Sequence, residues 1–306
     1  MEIKTNEANT LMADTWAKRG IQKSDAGVQQ RLSKIGSTVL QGYHVAIASE
    51  DLKAIAPKIN EIDAELQGFA YEGVGMALAQ RDLLAPSSEN RMATLVAGDG
   101  AAYHNWVYVG LGLMLARAGL PIKPHLNKLN FERSCLAIDG YGYYQGMFRW
   151  QDSLDNQAIP EQIPGYACSV FDQGLGRSIW FIGGGDVNHI ARTIDTFAQD
   201  RRQDLWGGVG YACAYAGGAE RATIEALKNA ADVYQFQLAQ GTAYAAKSRQ
   251  SVGNYSPYTE LACQVLWGMS TDAVANTLVN HQALESQSWH HYRARVFHPV
   301  RTTLAA

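Results

Sequence analysis

The sequence predicts an all-α protein, a single array of about seven helix-turn-helix repeats of about 33 residues each. Two observations carry this. One motif keeps returning: a polar or small residue, Gly, any residue, usually a second Gly, then an apolar, Ala-rich run. It occurs at Gln41-Gly42, Glu72-Gly73-Val74-Gly75, Val109-Gly110-Leu111-Gly112, Asp139-Gly140-Tyr141-Gly142, Gln173-Gly174-Leu175-Gly176, Gly207-Gly208-Val209-Gly210 and Gln240-Gly241. The steps between first glycines are 31, 37, 30, 34, 34 and 33, a period that suits two short helices and two turns. Second, glycine inside a helix costs about 1 kcal/mol against alanine, so its regular return needs a compensating gain. Close approach of neighbouring helices supplies one.

Taken in order, residues 1–25 form an N-terminal segment, 26–288 the repeat domain and 289–306 a tail. The longest apolar stretch, 106–120, is broken by Gly110, Gly112, Arg117 and Gly119 and falls short of a span's ~20 residues, so it reads as buried helix. Residues 171–182 form a helix, Gly183-Gly184-Gly185-Asp186 a turn with Asp186 as cap, and 187–198 a second helix. The next copy repeats the plan: helix 206–215, a Gly217-Gly218 stop, then helix 219–234 with Ala222, Ala226 and Leu227 on one face. The tract 237–249 is helical and ends on Lys247 and Arg249, cations that complement the helix dipole or hold an anionic head group. A turn at Asn254-Tyr255-Ser256-Pro257 precedes a helix with Glu260 in its first turn. Architecturally this resembles a tetratricopeptide-like α-solenoid, open as a superhelix or closed as an α/α toroid.

Composition narrows the function. With 26 basic against 29 acidic residues and no basic block interleaved with aromatics, nucleic acid is not an expected partner. No apolar run suits a membrane span or a signal peptide, and Cys135, Cys168, Cys213 and Cys263 stand alone with no C-x-x-C pair, which fits reduced thiols in a cytoplasmic protein. His290, His291 and His298 lack acidic or Cys companions at ligand spacing, and the Gly pairs follow no strand, so neither a metal nor a dinucleotide cofactor is expected.

Equivalent positions of stacked repeats form columns. The residue before each first glycine reads Gln41, Glu72, Val109, Asp139, Gln173, Gly207, Gln240, an amide or carboxyl in five of seven copies. Buried polar groups of this kind either fix register by bonding a neighbouring repeat or face a ligand. Glu72 and Asp139 are the ionisable members, and apolar neighbours raise a carboxyl pKa toward the range useful for general acid work. Asp172 and Arg177 are expected to pair, as a structural link or as part of the same chemistry. The candidate catalytic set is therefore Glu72, Asp139, Asp172 and Arg177. Aromatic and polar neighbours supply candidate substrate contacts: His104, Trp106, Tyr141, Tyr144, Gln173, Trp180, Trp206, Tyr211 and Gln240. His104 serves as a proton shuttle or as a helix cap.

Four segments, Tyr71-Glu72-Gly73-Val74-Gly75-Met76-Ala77-Leu78, Asp139-Gly140-Tyr141-Gly142, Phe171-Asp172-Gln173-Gly174-Leu175-Gly176-Arg177-Ser178 and Gly210-Tyr211-Ala212-Cys213-Ala214-Tyr215-Ala216-Gly217-Gly218, carry a family likeness. The chain resembles the family called domain of unknown function 1702 over residues 66–280, with the tail after Gln282 outside it. The resemblance implies bacterial secondary metabolism, beside genes for enediyne and other polyketides, and a long polyene or its cyclised product as ligand. The expected function is a cofactor-independent enzyme that cyclises or rearranges an apolar polyene or polyketide-derived substrate. The alternative is a scaffold holding a polyketide synthase or tailoring enzyme. A closed array favours the small ligand and an open one the protein partner.

Overall fold

The computed structural model describes residues 26–84 and 90–278. The expected N-terminal segment, the tail and the three C-terminal histidines lie outside the described residues. Within them the chain is all-α, with no strand. Seven long helices follow one another: α1 (Ala26–Ala48), α3 (Gln67–Leu84), α5 (His104–Arg117), α7 (Phe131–Phe148), α8 (Cys168–Gly183), α10 (Gln199–Ala216) and α12 (Gln235–Val252). Each packs on the next. Shorter helices lie in the links, α2 (Ile55–Ile59), α4 (Arg91–Ala97), α6 (Lys123–Leu126), α9 (Val187–Asp195) and α11 (Arg221–Ala231), and two more follow the last long helix, α13 (Pro257–Trp267) and α14 (Thr271–Asn276). None of these helices is long and apolar enough to cross a membrane.

The Gly-x-Gly spacing explains the row. An α-helix turns about 100° per residue, so glycines two apart lie about 200° round and open opposite sides of the helix. A Cβ on Gly73 would fall 1.9 Å from the Val39 carbonyl oxygen of α1, and one on Gly75 would fall 2.2 Å from the Val107 oxygen of α5. The contact is reciprocal, because a Cβ on Gly110 would sit 2.2 Å from the Glu72 oxygen. The same exchange recurs between α5 and α7 (Gly112 and Gly140), α7 and α8 (Gly142 and Gly174), α8 and α10 (Gly176 and Gly208), and α10 and α12 (Gly210 and Gly241). Backbone meets backbone at every step, at a separation that only a missing side chain permits, and Cα–H groups face carbonyl oxygens there.

The residue between the glycines points away from the column and into the core: Val74, Leu111, Tyr141, Leu175 and Val209 are all buried. The links follow the helix-turn-helix plan with one departure. Between α7 and α8 a π-helical turn, Gln151–Asp155, and a loop replace the second helix. Asp186 caps α9 by accepting from the His189 N–H at 3.0 Å, as its turn predicts. Helix α10 begins seven residues before the predicted start, and α11 stops at Ala231, where Asp232 takes a positive φ of 45°. In the C-terminal half, α9, α11 and α13 pack on one another in turn as a second layer.

The row curls until its ends touch. Arg249, completely buried, donates to the carbonyl oxygens of Glu65 (2.6 Å), Tyr215 (2.7 Å) and Asn254 (3.3 Å), and its guanidinium lies 4.0 Å from the Tyr215 ring centre. The expectation that Arg249 holds an anionic head group is thus corrected: its two Nη groups satisfy backbone carbonyls where the row of helices closes on itself. Nearby, Asn254 Nδ2 donates to the Ala64 oxygen, Ser256 Oγ to Glu65 Oε1, and Arg31 Nε to the Ala216 oxygen. Glu260 accepts from the Thr271 N–H and hydroxyl, tying the start of α14 to α13. All four cysteines are free thiols.

Candidate functional site

Six of the long helices line a half-open cavity of about 190 Å3 with mostly apolar walls. The residues that face it follow from the column. Glu72, Val109, Asp139, Gln173 and Gly207 all line it, from α3, α5, α7, α8 and α10 in turn. Apart from Gly208 and Gly241, each next to a column position, the rest of the lining comes from positions three, four, seven or eight residues away on the same helix faces, which is the spacing of one helical stripe. Trp106 and Asn105 precede Val109 in this way. Cys135 and Phe131 precede Asp139, and Tyr211 follows Gly207.

Arg177, four residues after Gln173, reaches across the cavity floor. Its Nη2 donates to Glu72 Oε1 at 3.1 Å and its Nη1 to Asp139 Oδ2. The guanidinium carbon lies over two aromatic rings that clamp it, Tyr143 from α7 at 5.0 Å and Tyr211 from α10 at 5.5 Å. Both tyrosines sit four residues after their own column positions, so the clamp is a second column one turn along the first.

Two carboxyls share this one cation in a desolvated place. Burial lifts Glu72 to about 7; Arg177 opposes the rise and Asp139 adds to it. Burial also raises Asp139, again against Arg177. Burial works against the charge of Arg177, but Asp139 and Glu72 outweigh it and hold its pKa above the ordinary value. Burial pushes the Tyr211 hydroxyl up to about 12 and Tyr143 up as well, so both rings stay neutral. Exposure separates the carboxyls: Asp139 keeps 18% of its side-chain surface open and Glu72 only 6%. Glu72 is therefore the deeper group, half protonated near neutral pH, and Asp139 the more open one.

Helical arithmetic also explains which expected residues are not here. Asp172 does not pair with Arg177; it makes a two-toothed pair with Arg201 (2.8 and 2.5 Å). Five residues separate it from Arg177, about 500°, which leaves the two on faces some 140° apart. Tyr141, between its two glycines, faces away, and its hydroxyl accepts from Gln162 Nε2 at 2.9 Å. Tyr144, five residues after Asp139, packs on Phe148 instead. Trp206 precedes its column residue by one and is buried in the core. Trp180 is the exception to the arithmetic: two turns beyond Gln173 it has the spacing of the stripe, yet it is completely buried and does not line the cavity. His104 is half-buried at the start of α5 with Nδ1 on the Ala101 oxygen at 2.9 Å, in the manner of a cap. Gln240 is buried in α12 beside the cavity-lining Gly241. Of the candidate contacts, Trp106, Gln173 and Tyr211 reach the cavity. Asn105, Phe131, Cys135, Val170, Tyr244 and Ser248 reach it too and were not singled out, although the stripe spacing marks each of them.

Among the described residues, no group of three or more His, Cys, Asp or Glu side chains is placed to hold a metal ion. The chain matches no curated protein and no solved structure. A family model described as "Protein of unknown function (DUF1702)" matches residues 7–300, which extends the expected likeness at both ends and takes in the tail after Gln282. The chain therefore belongs to the DUF1702 family.

Proposed function

We propose that the protein is a cofactor-independent enzyme that seats the end of an apolar, polyketide-derived chain in this cavity and promotes its cyclisation or rearrangement by proton transfer. The observation that carries this reading is the Glu72–Arg177–Asp139 group at the floor of a mostly apolar cavity. A general acid is most useful when its pKa lies near the working pH, and Glu72 has that value. Asp139 is the base, held by the guanidinium while its open side meets the substrate. Trp106, Gln173 and Tyr211 shape the bound chain, so that a folded conformer reacts without a diffusive search. The cavity is smaller than the ~300–1,000 Å3 usual for whole drug-sized ligands, so a long substrate enters by one end.

The scaffold alternative has less support. The column that would serve as a docking face turns inward on a half-open cavity of about 190 Å3, a volume that suits a small molecule better than a synthase or tailoring enzyme. The test is incubation of the purified protein with the linear polyene released by a polyketide synthase, comparing wild type with Glu72→Gln and Asp139→Asn. Product formed by wild type alone supports the assignment. The same products from all three proteins remove it.

A further inference from the structure

The chemistry of the cavity floor narrows the substrate class. Resting on the acid–base reading above, we infer that the reacting group is a carbonyl with an acidic α-carbon, which the site enolises between Asp139 and Glu72, and that the protein does not act on an isolated carbon–carbon double bond.

Three observations lead there. First, the acid and the base are tethered to the two arms of a single guanidinium, Glu72 on Nη2 and Asp139 on Nη1. A carbonyl group presents its two reacting points side by side, the oxygen that gains charge and the α-carbon that loses a proton. Held side by side in this way, the Glu72 carboxyl meets the charge that develops on the oxygen while Asp139 meets the α-proton, an arrangement that favours the transition state over the neutral ground state. An alkene offers no atom for them to bind.

Second, acid strength decides between the two substrates. A carboxyl poised near neutrality is far too weak an acid to make a carbocation from an ordinary alkene, but it is well matched to an enolate oxygen. Third, the side-chain oxygen of Asn105, a cavity-wall residue from α5, is buried with no hydrogen-bond partner among the described residues. Buried polar atoms are rarely left so, and a bare hydrocarbon would leave it so. A ligand with an oxygen-bearing head, in its enol or hydroxyl form, brings the missing donor. The walls remain mostly apolar, which disfavours a sugar.

The step balances without an oxidant or reductant. The Asp139 carboxylate takes the α-proton, the C–H electron pair becomes the enol double bond, and the carbonyl oxygen takes the proton of Glu72. From the enol, return of a proton to a different carbon moves a double bond, while attack of the enol carbon on a second carbonyl within the same chain forms a C–C bond and closes a ring. In both outcomes the enol O–H returns its proton to Glu72 as the carbonyl re-forms, and Asp139 gives its proton to the new carbon position or to the new alkoxide.

The experiment uses the full-length protein with two probes of matched length, the β,γ-unsaturated ketone non-4-en-2-one and the hydrocarbon 1,4-nonadiene. Conversion of the ketone to its conjugated isomer is followed by ultraviolet absorbance, and deuterium uptake from D2O by NMR. The expected result is acceleration of the ketone over protein-free buffer, with deuterium at the α- and γ-carbons and no change in the diene. Glu72→Gln and Asp139→Asn are each expected to lower the rate about 100-fold or more. Acceleration of neither probe, or of both alike, overturns the inference, and these comparisons need only the wild-type protein. Ketone conversion unaffected by either substitution also overturns it. If the protein converts the synthase polyene but not the ketone, the acid–base reading stands and the carbonyl inference falls; if it converts neither, both fall.

Discussion

Arg177 donates to Glu72 at 3.1 Å across 105 residues of sequence, from the fifth long helix back to the second. That bond exists only because the row of helices curls, and the row curls as tightly as it does because glycines let each backbone lie against the next. Site and packing are therefore one design, and each makes predictions that separate them.

Gly207 and Gly208 are adjacent but face different things. A Cβ on Gly208 would lie 2.1 Å from the Gln173 carbonyl oxygen, whereas one on Gly207 meets nothing closer than 3.6 Å and points to the cavity. Gly208→Ala is expected to force α8 and α10 apart and cost about 1–3 kcal/mol, as overpacking does. Gly207→Ala is expected to be neutral or to stabilise by up to about 1 kcal/mol through helix propensity. Thermal denaturation of the two variants checks this; equal effects would contradict the packing.

Stability should fall as pH rises through the range that Glu72 titrates. Its folded pKa of about 7 lies above the ordinary 4.5, so between these values the native state holds a proton that the unfolded chain has released. The contribution is complete below about 4.5 and lost above about 7, a difference of about 3 kcal/mol. The groups facing Glu72 are Arg177, Asp139, Tyr143 and Tyr211, and Asp139 is shifted in the same direction. Glu72→Gln mimics the protonated form. Urea titrations from pH 4 to 8 should give a flatter profile for this variant than for wild type, with the variant the more stable at pH 8. Parallel profiles would count against it.

Asp172 is expected to serve the fold and not the chemistry. It is buried, and Arg201 supplies both of its ion-pair bonds. Arg201→Ala leaves that carboxylate unpaired and is expected to cost about 3–5 kcal/mol in denaturant unfolding. Asp172→Asn, measured at a temperature where it stays folded, is expected to keep the activity that Asp139→Asn loses. Equal loss of activity in the two would place Asp172 in the chemistry.

Much of this was legible in the chain. The spacing of Gly73 and Gly75 already implies contacts on two opposite sides of one helix, and the residue before each first glycine marks the cavity wall at Glu72, Val109, Asp139, Gln173 and Gly207. The same 100° rotation, applied strictly, separates Tyr143 from Tyr144 and Arg177's true neighbour Gln173 from Asp172. What local pattern does not carry is curvature. Which helices face one another across the cavity depends on the sum of many small crossing rotations, so the meeting of Glu72 with Arg177, and of Arg249 with the Glu65 carbonyl, has no signature in either segment alone.

The central claim is that burial, with Asp139 adding to it and Arg177 opposing it, keeps a proton on Glu72 near neutrality. Infrared difference spectra of wild type minus Glu72→Gln, recorded from pH 4 to 9, follow the carbonyl stretch of that one protonated carboxyl directly. The account predicts a band that disappears with a midpoint of about 7. A midpoint near the ordinary 4.5 would contradict it.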